Sequence, residues 1–150
     1  MEKTLKINVP DGYEIDKEKS TFENIVFKKK DDVVIKWNAT TYSVEIKADG
    51  EHFMVDASRP SYFCSWDDAI RFHRGSIWSL PTVKQLQVLA KYINKVNEII
   101  NENGGFEIYG WMWSCEEKDE FCAWGVDMGY GGTYGFSKNL YGYVRAVSAL

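Results

Sequence analysis

The chain has 150 residues, 18 Lys and Arg against 22 Asp and Glu, and a net charge of −4; its apolar (45%) and charged (27%) fractions are ordinary for a globular protein. That balance excludes collagen, coiled coil and wholesale disorder. The acidic sign argues against a nucleic-acid partner, because phosphate contacts need clustered Lys and Arg. The unusual quantity is the aromatic content of 15%, with 6 Trp, 9 Tyr and 8 Phe. Ten of these rings lie between Tyr109 and Tyr143, and nine of the 12 Gly lie between Gly104 and Gly142. The C-terminal third combines large flat side chains with a freely turning backbone.

Residues 1–57 read as β-structure. Leu5, Ile7 and Val9 alternate, Pro10-Asp11-Gly12 is a turn, and Asn24 to Phe27 is a second apolar run. The basic run Lys28-Lys29-Lys30 is answered by Asp31-Asp32, as at a solvated strand end or turn. The polar stretch from Asp16 to Glu23 is irregular, which sets residues 1–30 apart as a β-rich appendage and leaves 31–150 as the main domain. Val33 to Trp37 is a third strand. Tyr42-Val44-Ile46 and Phe53-Val55 flank Ala48-Asp49-Gly50, and Asp-Gly between alternating segments is a strong hairpin signal.

The periodicity changes after Pro60. Ser65-Trp66-Asp67-Asp68 resembles a capping box opening a short helix to about His73. Thr82-Val83-Lys84-Gln85 supplies a second one. Leu86, Leu89, Ile93, Val96 and Ile100 follow at helical spacing as one apolar stripe, which Asn103-Gly104-Gly105 ends. Alternation then returns at Tyr109 to Trp113, Trp124 to Met128 and Tyr141 to Val147, with a glycine–aromatic connection over residues 129–140. Strands, two helices and strands again, without βαβ alternation, predict an α+β domain with a mostly antiparallel sheet. No apolar run approaches the roughly 18–20 residues of a membrane span, and the first residues lack the apolar segment of an export signal. Three cysteines, Cys64, Cys115 and Cys122, read as reduced thiols. The spacing of the last two admits a hairpin with the thiols facing each other.

Several of these segments together resemble the Lcl-type C-terminal domain family, a bacterial and phage variant of the C-type lectin-like fold. The residues are Ser65-Trp66-Asp67-Asp68-Ala69, Trp78-Ser79-Leu80-Pro81-Thr82, Trp111-Met112-Trp113-Ser114-Cys115, Ala123-Trp124-Gly125-Val126 and Tyr143-Val144-Arg145-Ala146-Val147. The resemblance covers Tyr42 to Leu150. The first 30 residues resemble an N-terminal segment of proteins from gut bacteria and their phages. The resemblance implies two helices packed on short strands, and a loop-rich binding scaffold rather than an enzyme. Its relatives include adhesins, phage receptor-binding proteins and proteins diversified by retroelements. With no export signal in the sequence as given, the expected location is the cytoplasm or a phage particle.

In the diversified relatives the binding surface precedes the final Val-Arg, here Gly129 to Tyr141. Tyr130, Tyr134, Phe136, Ser137, Lys138, Asn139 and Tyr141, aided by Trp111, are therefore the candidate ligand-binding residues. Tyr gives wide contact with few rotatable bonds, and small polar residues adapt their hydrogen bonds. The expected partner is a protein or a glycan, with a second copy of the chain as a further candidate. Trp66, Trp78, Trp113 and Trp124 read as packing, and Arg145 as a partly buried ion pair or carbonyl contact.

No cofactor or metal is expected. The family's sugar-binding calcium site needs a Glu-Pro-Asn or Gln-Pro-Asp loop and a Trp-Asn-Asp triplet, whereas this chain has Trp124-Gly125-Val126-Asp127 and no Pro after Pro81. Glu116, Glu117, Asp119 and Glu120 read as a solvated hairpin tip. No catalytic residue is expected either, since Cys64 and His73 fall at opposite ends of a helix, ~12 Å apart at ~1.5 Å per residue. The sequence thus predicts a calcium-independent binding module. The alternative is a structural component of a phage particle or surface fibre, with the aromatic face as a subunit interface.

Overall fold

The structure, a computed structural model, describes residues 7–30, 32–72 and 76–150. Leu5, Asp31 and His73, which entered the strand, turn and helix expectations, lie outside the described residues. The chain divides into two compact units, Met1–Asp32 and Val33–Leu150. In the first, β1 (Tyr13–Ile15) pairs antiparallel with β2 (Phe27–Lys29). Gly12, at φ 81°, completes the turn that the Tyr13 N–H closes on the Pro10 carbonyl at 3.1 Å. Between the strands the Asp16 carboxylate accepts the Glu18 and Lys19 N–H groups, an Asx-type turn suited to this polar stretch.

The second unit carries two sheets. One has the order β11-β5-β4-β3, from Val147–Ala149, Glu51–Asp56, Ser43–Ala48 and Val34–Asn38. Its β4–β5 hairpin turns on Asp49 and Gly50 at φ 52° and 83°, the two left-handed positions of the turn predicted there. The other has the order β6-β10-β7-β8-β9, from Tyr62–Cys64, Gly142–Val144, Trp111–Glu117, Cys122–Asp127 and Thr133–Ser137. Its pairings are antiparallel except that β10 runs parallel to β7.

Among the described residues three helices accompany them: α1 (Trp66–Phe72), α2 (Val83–Lys91) and α3 (Ile93–Glu102). Thr82 and Gln85 form the reciprocal capping box at α2, the Thr82 hydroxyl accepting the Gln85 N–H at 3.1 Å and Gln85 Oε1 the Thr82 N–H at 2.9 Å. At α1 the Ser65 half of the box is long, 3.5 Å from the Asp68 N–H. The stripe from Leu86 to Ile100 faces the main core, but Tyr92 (φ −108°, ψ 18°) divides the expected single helix into α2 and α3. Gly104, at φ 71°, ends α3.

The expectation of an α+β, C-type lectin-like domain built on two packed helices is overturned. Strand residues outnumber helical ones, 37% to 18%, over three sheets and three short helices, so the described chain is mostly β. The cause lies in chain length per element: α1 spans only seven residues and the long stripe is interrupted, while period-two alternation recurs through both large sheets. The main core joins Val44, Ile46, Phe53 and Val55 to Leu86, Leu89, Val96 and Ile100, and to Met112 and Val126. A smaller core, with Trp66, Ala69, Leu80, Trp113 and Ala123, lies on the α1 side of the five-stranded sheet.

Candidate functional site

The glycine–aromatic composition has a structural cause in the five-stranded sheet. Trp111 on β7 and Phe136 on β9 are two strands apart, nominally about 9–10 Å. Their rings nevertheless stack at 4.2 Å and 28°, because Gly125 on the intervening strand leaves the space beneath them open. A Cβ on Gly125 would lie 3.1 Å from the Trp111 ring and 3.2 Å from that of Phe136. On the other side, a Cβ on Gly142 would lie 2.5 Å from Trp111. Gly110 seats the Tyr143 ring and Gly132 that of Tyr134 in the same way, with gaps of 2.7 and 2.6 Å. Gly125 on β8 and Gly142 on β10 thus hold the ring of Trp111 from the neighbouring β7.

The predicted binding residues separate. Trp111 and Phe136 are half-buried against the smaller core and contact Trp113, whose indole is fully buried and donates to the Cys64 carbonyl at 3.0 Å. Lys138 is committed to the fold. Its ammonium bonds the Glu120 carbonyl at 2.9 Å, pairs with Glu117 at 3.4 Å and lies 4.9 Å from the buried Trp66 ring. Ser137 is half-buried and closes the turn into Leu140, and Asn139 is exposed at its tip. Tyr130, Tyr134 and Tyr141 are exposed, at 76%, 47% and 57%. The Tyr130 phenol is pushed above its usual value, first by the charge of Asp127 and then by the neighbouring Tyr134 phenol.

These exposed rings do not share one face. Tyr143 stands opposite Phe63 on β6 and beside Met112 on β7, so it points to the α2 side, whereas Gly142 and Trp111 point to the α1 side. Tyr141 meets Phe63 at 5.7 Å, Phe63 meets Tyr143 at 4.9 Å, and Tyr143 meets Tyr109 at 5.4 Å. Tyr141 therefore belongs to a row of four touching rings along β6 and β10, while Tyr130 and Tyr134 lie by β9 at the opposite edge. Phe63, Tyr109 and Tyr143 escaped selection as binding candidates. The Tyr109–Trp113 alternation named one of them, but no local signal pairs it with a strand some fifty residues upstream.

Arg145 anchors the strand ends. It is buried, and all five of its N–H groups are engaged: with Ser61 Oγ twice, at 3.1 and 2.9 Å, and with the carbonyls of Asp56, Phe106 and Glu107 at 3.1, 2.8 and 2.8 Å. The expected carbonyl contact is present. Burial pulls the guanidinium down to about 10, still charged at neutral pH.

The acidic hairpin tip is likewise occupied by the fold. Glu116 accepts the Val83 N–H at the start of α2, 2.6 Å away, and Asp119 accepts those of Phe121 and Cys122 at 2.8 Å. These two N–H bonds hold the Asp119 carboxyl below its usual value. Among the described residues no three His, Cys, Asp or Glu side chains gather as metal ligands. The three cysteines are free, and burial raises the thiols of Cys64 and Cys115. Among the described residues no helix is long and apolar enough to cross a membrane. Compared with known proteins, the chain matches no family model and no curated sequence.

Proposed function

We propose that this protein is a calcium-independent ligand- or receptor-binding module that recognises a protein or glycan through exposed aromatic rings of its five-stranded sheet. The observation that carries this reading is the row Tyr109–Tyr143–Phe63–Tyr141, in which three rings are more than half exposed while each touches its neighbour. Rings braced in this way lose little rotamer freedom on binding, which favours them as anchors. Tyr130 and Tyr134 offer a second, smaller group beside β9. Trp111 and Phe136 pack on the other face of the sheet, and Asn139 is offered as an adaptable polar contact.

A glycan array and a surface-protein panel, each probed with and without a chelator, test it. The expected result is binding unaffected by chelator and lost in Phe63→Ala/Tyr141→Ala, with the melting temperature nearly unchanged. Chelator-sensitive binding would overturn the calcium-independent reading. A second reading is favoured by one observation: β6 is a three-residue edge strand carrying exposed Tyr62 and Phe63. Such an edge also suits a subunit interface in a particle or fibre. Sedimentation decides that case, because a stable oligomer dissociated by the same double substitution supports assembly.

A further inference from the structure

The Val33–Leu150 unit contains a cavity of about 340 Å³, at the lower end of the range of small-molecule sites, roughly 300–1,000 Å³. Its floor is the buried link Val144-Arg145-Ala146 between β10 and β11, and Tyr62 and Trp78 line it with aromatic surface. Two residues of opposite charge, the half-buried Asp56 and the exposed Arg59, are also part of its lining. Although only three residues apart, they form no ion pair with each other. The Arg59 side chain has no hydrogen bond or ion pair among the described residues.

Asp56 uses Oδ1 to hold the Ser58 N–H and hydroxyl, at 2.9 and 2.6 Å, and its other oxygen has no such bond among the described residues. Arg145 beneath adds positive charge but offers nothing further, because each of its donors already meets a neutral acceptor.

We propose that this cavity binds a free α-amino acid with a flat or bulky apolar side chain. A neutral apolar ligand would cover these groups without answering the Arg59 guanidinium or the second Asp56 oxygen, which is costly. A simple anion or cation would answer one of them. A zwitterion answers both: its carboxylate takes two parallel N–H bonds from Arg59, over the positive field of Arg145, and its ammonium donates to Asp56. The side chain then lies against Trp78 and Tyr62, and the ammonium gains from the ring faces. This site is independent of the aromatic row and of its ligand.

Calorimetry, with tryptophan fluorescence as the report from Trp78, tests the proposal using L-phenylalanine and L-leucine as probes and phenylacetate and phenethylamine as truncated analogues. The expected result is saturable binding of at least one amino acid. Each analogue of L-phenylalanine, lacking one charge, should bind at least about tenfold more weakly than the parent, the value of one charge-assisted hydrogen bond. Arg59→Ala should bind L-phenylalanine no tighter than phenethylamine, and Asp56→Asn no tighter than phenylacetate, with circular dichroism confirming the fold of each. Failure of both amino acids to bind at millimolar concentration overturns the proposal. So does phenylacetate binding as tightly as L-phenylalanine, which would mark a plain anion site, or unchanged affinity in folded Arg59→Ala.

Discussion

The two aromatic groups of the five-stranded sheet lie on opposite faces and meet different ends. On the α1 side, Trp111 and Phe136 close over Gly125 and lie against the buried Trp113, so their rings become part of a core. On the α2 side, Tyr141 touches Phe63, and Phe63 and Tyr109 each touch Tyr143, but Tyr141, Phe63 and Tyr109 stay more than half exposed. Ring-to-ring contact alone therefore does not make a core residue. What separates the groups is whether the rings also lean on a buried indole and on glycine backbone from a strand on either side.

The largest test of this contrast falls on Arg145, which ties the end of β10 to three separate carbonyls and Ser61. Arg145→Met should cost about 3–5 kcal/mol, since it leaves buried acceptors without donors, and chemical denaturation would show a lower midpoint at an unchanged slope. Phe136→Ala should cost about 2–3 kcal/mol, below the range for a fully buried Phe because this ring is half-buried. Gly142→Val, whose Cβ meets the Trp111 ring at 2.5 Å, should cost about 1–3 kcal/mol through overpacking and shift the near-ultraviolet tryptophan dichroism.

Tyr141→Ala should cost under about 1 kcal/mol. A loss from Tyr141→Ala as large as that from Phe136→Ala would erase the distinction between packed and presented rings. Smallest is a pH effect at the hairpin tip. The folded Asp119 carboxyl titrates below its unfolded value, so its contribution is complete above that unfolded value, near 3.8, and is lost as pH falls through the folded one. Asp119→Asn should accordingly flatten the acid limb of the melting-temperature profile, with nothing changed at neutral pH beyond the loss of that contribution.

Much of the fold was legible where the determining partners are close in sequence. Asp49-Gly50 specified its hairpin because both positions need left-handed backbone, and Thr82 with Gln85 specified the start of α2 because the cap spans three residues. The stripe from Leu86 to Ile100 correctly named the core face, but periodicity carries no signal for the break at Tyr92, so the helical content was overestimated. The candidate site was legible only as a composition. Tyr130, Tyr134 and Tyr141 look alike beside Phe136 and Lys138 in the sequence, yet Lys138 proves to be held by Glu117, Glu120 and Trp66, and Phe136 by Trp111.

By itself, then, the sequence determined the turns, the capping box, the buried stripe and an excess of aromatic residues and glycines, because each depends on backbone preference or on neighbours within a few residues. Only the tertiary structure decided which rings pack and which are presented. That outcome rests on the parallel seat of β10 beside β7 and on contacts such as Trp111 with Gly142, Phe63 with Tyr141, and Arg145 with Asp56. Those partners lie tens of residues apart, and strand order brings them together where local preference cannot.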